Sequence, residues 1–223
     1  MTQATRALVA AAFMAMMASG SRADVFVVQV GDGAAALTNA STSLAVQKFT
    51  NNGTPISAIP LPIAAADQNL PFTVNGTAVS EGFLTLSGNG QFLTLAGYSI
   101  APGTAQINTT ASTVAPRAVA RIDVGSGAVN TSTSFSGDTT FSAGNARSAV
   151  SSDGSSIWLA GSNQGVRTTT FGTTASTVVS STVTNNRVLN IFNGQLYVSS
   201  GSGSFIGVNA VGTGLPTATG LAT

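Results

Sequence analysis

The chain of 223 residues has no cysteine and no histidine, and only 7 % of its residues are charged. The lack of cysteine excludes disulfides, thiol nucleophiles and iron–sulfur clusters, and the lack of histidine excludes a Ser-His-Asp triad and histidine metal sites. The seven Asp and Glu residues are scattered, whereas calcium loops need clustered carboxylates. We therefore predict no catalytic residue, no metal ion and no cofactor.

Charge of either sign is also scarce. The formal net charge is +1, and the eight Lys and Arg residues form no basic stripe, which disfavours a nucleic-acid partner. Gly, Ser, Thr and Ala are abundant instead. This composition suits strands and turns and disfavours long helices.

Residues 1–23 have the pattern of a secretory signal peptide. Arg6 precedes an apolar stretch from Ala7 to Met17, and Ser21-Arg22-Ala23 places small residues where a signal peptidase cleaves. The stretch is shorter than the ~20 residues that a membrane span requires. We expect a mature chain 24–223 without a transmembrane span, secreted to the periplasm or cell surface. A buried N-terminal helix is the alternative.

A strand–turn–strand phrase occurs three times in the chain. Apolar residues alternate in each copy, which is the period of a strand. Each copy ends in a small residue, which suits close packing where strands converge, and then a glycine, which permits the chain to turn into the next strand. Asn-Gly and Asp-Gly accept positive φ at both centres of a tight two-residue hairpin turn. The copies are Phe83 to Gly97 around Asn89-Gly90, Ala146 to Gly161 around Asp153-Gly154, and Arg187 to Gly201 around Asn193-Gly194.

A second candidate hairpin follows each copy, which gives four strands per unit. Gly154 and Gly194 are 40 residues apart, and four strands in ~40–45 residues are typical of a propeller blade. Gly90 and Gly154 are 64 residues apart. The surplus is predicted to be an insertion, Ser99 to Pro116, between the second and third strands of one unit.

The predicted fold is all-β: a β-propeller-like array of four-stranded antiparallel blades, with about three and a half blades at 24–79, 80–138, 145–182 and 185–223. Closed propellers have ~4–8 blades. We therefore expect either a fragment of a longer propeller or, if the sequence is complete, an open array that a partner covers, for example in a homo-oligomer.

The phrase from Ser152 to Gly161, S-D-G-S-S-I-W-L-A-G, resembles the blade phrase of bacterial secreted β-propellers of the YVTN and lactonase-like kind. The resemblance covers about 80–210 and implies an architecture. It implies no activity, because that family includes binding proteins, enzymes and proteins of unknown role. Asn replaces Asp in two of the three turns, and metal-ligand residues are missing.

Two arginines occupy equivalent positions in the repeat. Arg147 and Arg187 each lie six residues before the turn pair, and each follows an asparagine, Asn145 or Asn185, by two positions. In a propeller these four residues would lie at one mouth of the central channel, where they could bind a carboxylate, a phosphate or a sugar. Alternatively, the arginines satisfy carbonyl groups of neighbouring blades. The first copy has Glu81 and Phe83 at these places.

We expect a secreted or cell-surface propeller that acts as a non-catalytic binding or interaction scaffold, with an unknown protein, carbohydrate or small molecule as its ligand. The alternatives are a structural β-solenoid of adhesin type and a lactonase-like propeller hydrolase. Five glycosylation sequons occur by pattern, and chance explains most of them in a chain so rich in Asn and Thr; they begin at Asn39, Asn52, Asn75, Asn108 and Asn130.

Overall fold

The computed structural model describes residues 24–220, so the predicted signal peptide, residues 1–23, lies outside the described residues. The described chain consists of strands, turns and two short 3-10 helices, Ile107–Thr109 and Gly203–Phe205. The strands are, in chain order, β1 Val25–Val30, β2 Ser41–Thr42, β3 Leu44–Phe49, β4 Pro55–Pro60, β5 Val74–Asn75, β6 Thr85–Leu86, β7 Phe92–Tyr98, β8 Arg117–Asp123, β9 Val129–Ser134, β10 Ala146–Ser151, β11 Ser156–Gly161, β12 Val166–Thr170, β13 Thr177–Ser180, β14 Asn186–Phe192, β15 Gln195–Ser200 and β16 Gly207–Ala210.

Two of the sheets are four-stranded meanders, with the strand orders β6-β7-β8-β9 and β10-β11-β12-β13. Strands β1-β3-β4 form an N-terminal sheet, strands β14-β15-β16 form a C-terminal sheet, and β2 pairs with β5. All of these strand pairs are antiparallel. The all-β class and the antiparallel hairpins are thus confirmed. A β-solenoid would have continuous parallel strands instead.

The predicted insertion is a long connection within the first four-stranded sheet. Strand β7 ends at Tyr98 and β8 begins at Arg117, so the connection has the predicted bounds. Ile107 in this connection is buried and packs with Tyr98 and Ala115 in a small core of their own. The connection is therefore anchored to the sheet.

Two of the three repeated turns differ from the predicted two-residue form. Only Asn193-Gly194 has positive φ at both residues and joins its strands, β14 and β15, directly. At the other two turns only the glycine, Gly90 or Gly154, has positive φ, and longer loops connect the strands. Side chains close these loops: Oγ of Ser151 accepts a hydrogen bond from the N–H of Gly154 at 2.7 Å.

Both faces of strand β11 are buried, and its alternate residues belong to two different cores. Ile157 and Leu159 belong to a core shared with β7 and β8, whereas Trp158 and Ala160 belong to a core shared with the C-terminal sheet. A third core lies between the N-terminal sheet and the first four-stranded sheet. Each four-stranded sheet is thus covered on both faces, which requires apolar residues on both.

The first strands of successive sheets lie side by side. Phe83, just before β6, forms a parallel bridge with Ser148 of β10, and the N–H of Gly88 donates to the carbonyl of Ser151 at 2.9 Å. Oγ of Ser148 in turn accepts from the N–H of Leu189 in β14 at 3.0 Å. Hydrogen bonds therefore join the two four-stranded sheets and the C-terminal sheet in chain order.

Gly97, next to the end of β7, and Gly161, at the end of β11, lie where chain segments approach closely, whereas the prediction placed close packing at the small residue before each glycine. A Cβ added at Gly97 would lie 2.5 Å from the carbonyl oxygen of Thr73, and a Cβ added at Gly161 would lie 2.5 Å from that of Asn145. Both distances are shorter than a carbon–oxygen contact allows, so a larger residue would displace the backbone.

We predict that Gly161→Ala lowers the free energy of unfolding by about 1–3 kcal/mol, because the added methyl overpacks this contact. Gly125→Ala is the matched control, because a Cβ there meets nothing closer than 3.4 Å. The control should change stability by less than about 0.5 kcal/mol. Urea denaturation of both variants measures the difference, and equal losses of stability would contradict the close approach at Gly161.

Candidate functional site

The four residues predicted at a channel mouth lie at the starts of β10 and β14. Nη1 of Arg147 donates to Oδ1 of Asn185 at 2.6 Å and to the carbonyl of Asn186 at 2.8 Å. Nδ2 of Asn185 donates to Oγ of Ser202 at 3.0 Å. The two N-x-R segments are therefore neighbours, as their register in the repeat predicted.

The contacts of Arg147 agree with the alternative prediction, in which the arginines satisfy carbonyl groups of a neighbouring unit. Arg147 is only 6 % exposed, and burial, together with the nearby charge of Arg187, lowers the pKa of its guanidinium. Arg187 is partly exposed and lies beside Gly201. A buried guanidinium bonded to a carbonyl of the next sheet suits a role in joining sheets. Ligand binding at this mouth stays a prediction.

Asn145 faces the preceding unit and donates a hydrogen bond to a partly buried carboxylate, that of Glu81. Its Nδ2 donates to Oε1 of Glu81 at 2.6 Å, the hydroxyl of Tyr98 donates to the same oxygen at 2.7 Å, and the N–H of Asn75 donates to Oε2 at 2.9 Å. Burial raises the pKa of Glu81, and these hydrogen bonds together with the charge of Arg117 offset part of that rise. Burial and the neighbouring Glu81 raise the pKa of Tyr98 as well.

Arg117 is fully buried beside this carboxylate and binds carbonyl groups of the insertion. Its exposed fraction is 0 %, and its guanidinium lies 5.1 Å from the centre of the Tyr98 ring. Burial lowers the pKa of Arg117, although the charge of Glu81 acts in the opposite direction. The guanidinium donates to the carbonyl oxygens of Asn108, Thr110, Ala115 and Gly144 at 2.7–3.2 Å.

A cleft of about 530 Å³ lies next to this network, which is within the size range of small-molecule sites, ~300–1,000 Å³. Three hydroxyl residues and two small apolar residues contribute to its lining, and no charged residue does so among those described there. We call it the amide cleft because five of its lining residues carry carboxamides. They are Asn39, Asn75, Gln106, Asn108 and Asn145.

Some of these carboxamides are fixed by internal hydrogen bonds and others are free. Oδ1 of Asn75 accepts from the N–H of Thr77 at 3.0 Å, and its Nδ2 donates to Oδ1 of Asn108 at 3.1 Å. The side-chain amides of Asn39 and Gln106 are exposed and have no hydrogen-bond partner within residues 24–220. The cleft can therefore offer both donors and acceptors to a ligand.

The chemistry of the amide cleft is that of binding. Carboxamides and hydroxyls form hydrogen bonds but do not act as general bases near neutral pH. The adjacent carboxylate of Glu81 receives three internal donors. Across the described part of the chain, no group of three or more carboxylates could hold a metal ion.

Of the residues that line the amide cleft, only Asn145 was predicted from the sequence to bind a ligand. Three of the five sequon asparagines, Asn39, Asn75 and Asn108, line it together with Gln106. They come from separate segments that no periodicity connects. The predicted insertion was the one signal in the sequence that pointed to this region. Long connections without a strand pattern frequently carry binding residues when both of their ends lie next to a sheet.

No family model matches the chain, and no curated protein matches it significantly. Within the part of the chain that the structure describes, no helix is long and apolar enough to cross a membrane.

The raised pKa of Glu81 makes a prediction about pH and stability. The folded state holds the proton more tightly than the unfolded state, so the contribution of Glu81 is greatest below about pH 4.5, its ordinary pKa, and is lost as pH rises through the folded pKa. Relative to Glu81→Gln, the wild type should therefore lose stability as pH rises across this window. Urea denaturation at intervals from about pH 4 to 7 tests this.

Asp123→Asn is the control for that measurement. Hydrogen bonds from Ser126 lower the pKa of Asp123, so relative to this variant the wild type should gain stability as pH rises through the carboxyl range. Slopes of the same sign for the two pairs, or no slope for Glu81, would contradict the assignment.

Proposed function

We propose that the chain is a propeller-like array of blades that works outside the cytoplasm as a non-catalytic binding scaffold, with the amide cleft as its binding surface. The observation that carries the binding role is the set of unpaired carboxamide groups in a cleft whose other carboxamides, those of Asn75, Asn108 and Asn145, are fixed by internal hydrogen bonds. Polar groups that are fixed in advance lower the ordering cost of binding a ligand.

The propeller-like arrangement is supported by the order of the strands. Each four-stranded meander has its first strand next to the first strand of the following sheet, and Phe83 and Ser148 form a parallel bridge between two of them. Innermost strands have this relation in a propeller, where each blade is one meander. The N- and C-terminal sheets are interpreted as further blades at 24–79 and 185–223.

The extracytoplasmic location rests on the sequence pattern of residues 1–23, a basic residue followed by a short apolar stretch and small residues. A chain without cysteine is also indifferent to an oxidising compartment. The scarcity of charge is consistent with a surface that hydroxyls and amides solvate.

A hydrogen-exchange screen of the whole chain tests the binding function. The probes are neutral oligosaccharides, uronic-acid oligosaccharides, short peptides, nucleotides and inorganic phosphate. We expect at least one probe class to slow amide hydrogen exchange saturably at 75–80 and 106–109. The mass of that probe should stay unchanged after long incubation, because the proposed function is not catalytic. Protection at the starts of β10 and β14 alone would instead favour the arginine mouth. Absence of any protection at the amide cleft, or conversion of a probe, would refute the proposal.

A further inference from the structure

We propose that the ligand of the amide cleft is a short, neutral, hydroxyl-rich glycan segment. This inference rests on the proposed binding function of the same cleft. It names the chemical class of the ligand from the hydrogen-bonding capacity, the charge and the apolar content of the lining.

The unused hydrogen-bonding groups of the cleft are of both kinds. Asn39 and Gln106 keep whole carboxamides unpaired, Asn108 has used only its Oδ1, and Asn145 has used only its Nδ2. A carboxamide places a donor and an acceptor side by side. Adjacent sugar hydroxyls present the same pair, because each hydroxyl both donates and accepts.

The absence of charge from the described lining disfavours ionic ligands. Phosphates and carboxylates are bound best by guanidinium groups or by several oriented N–H donors, and Arg117 is buried with its donors occupied by carbonyl groups. The nearest carboxylate, Glu81, is likewise saturated by internal donors, so it leaves little for a cationic ligand. A neutral ligand needs no charged partner, so it does not have this disadvantage.

The apolar content of the lining is too small for a peptide or a hydrophobic molecule. Only Ala78 and Val79 are apolar, whereas peptide sites use side-chain pockets or a free strand edge, and drug-like ligands bind mostly apolar walls. Val79 is 96 % exposed, so its methyl groups can cover the C–H face of one sugar ring at the rim. This mixture of many hydrogen bonds and little apolar contact matches a glycan.

The cleft is held in shape by contacts that do not involve the ligand. Glu81 fixes Asn145 and the N–H of Asn75, and Thr77 fixes the side chain of Asn75. The N–H of Ile107 donates to the carbonyl of Asn39 at 3.2 Å, which joins the two segments that carry the free carboxamides. A weak ligand such as a glycan gains most from a site ordered in advance.

Isothermal titration of the full chain tests the inference. The probes are neutral di- and trisaccharides of glucose, galactose and N-acetylglucosamine, the corresponding monosaccharides, matched uronic-acid oligosaccharides and a tripeptide mixture. We expect a neutral oligosaccharide to bind more tightly than its uronic-acid counterpart and than the tripeptides. Stronger binding of the oligosaccharide than of the monosaccharide would identify a segment of a glycan, and equal binding would overturn that part of the proposal.

The double variant Asn39→Ala, Gln106→Ala should weaken binding about tenfold or more, because it removes two hydrogen-bonding groups. Asn51→Ala, an exposed asparagine outside the cleft, is the matched control and should bind normally; equal melting temperatures establish that both variants are folded. Preference for the uronic-acid or peptide probes, with protection at 75–80 and 106–109, would overturn the glycan inference and keep the binding function. No protection by any probe would overturn both.

Discussion

The constraint on which this structure depends is the need to satisfy buried carbonyl groups in a chain that has almost no charge. Hydroxyl groups supply many of the donors. For example, Oγ1 of Thr94 in the first four-stranded sheet donates to the carbonyl of Ala149 in the second at 3.0 Å. Where several carbonyls converge, the chain uses a buried arginine, because a guanidinium carries five donors in a fixed plane. Arg117 satisfies four carbonyl groups in this way, and Arg147 bonds the carbonyl of Asn186. The arginines thus join separate segments rather than forming a basic surface.

The same constraint produces the amide cleft. Arg117 donates hydrogen bonds to carbonyl groups of the insertion and so holds it against the sheet. Gln106 and Asn108 of the insertion therefore line the same cleft as Asn75 and Asn145. Glu81 lies near the buried guanidinium and accepts hydrogen bonds from Asn75 and Asn145, which line the cleft. Because Arg117 and Glu81 form hydrogen bonds within the protein, the groups available to a ligand are uncharged carboxamides. The proposed function is based on these carboxamides.

The strands could be predicted from the sequence because their signals are local. The alternation of apolar residues, as in Ser156–Gly161, and the Asn-Gly or Asp-Gly pair in each copy predicted the hairpins. The larger spacing between the first two copies of the repeat predicted the insertion. The two-residue turn predicted at Asp153-Gly154 was wrong, because Oγ of Ser151 accepts a hydrogen bond from the N–H of Gly154 and closes a longer loop in which only the glycine has positive φ. The amide cleft could not be predicted, because Asn39 and Asn108 meet only after the insertion folds back. The repeat register did place Arg147 next to Asn185, although it could not indicate how deeply the guanidinium is buried.

The central claim is that Arg117 holds the insertion, and with it one wall of the amide cleft. Native-state hydrogen exchange of the wild type, Arg117→Lys and Arg121→Lys tests it most directly, because lysine keeps the charge but not the planar fork. The account predicts that Arg117→Lys exposes the amides of 107–115 to exchange while β10–β13 keep their protection, and that Arg121→Lys leaves 107–115 unchanged. Unchanged protection of 107–115 in Arg117→Lys would contradict it.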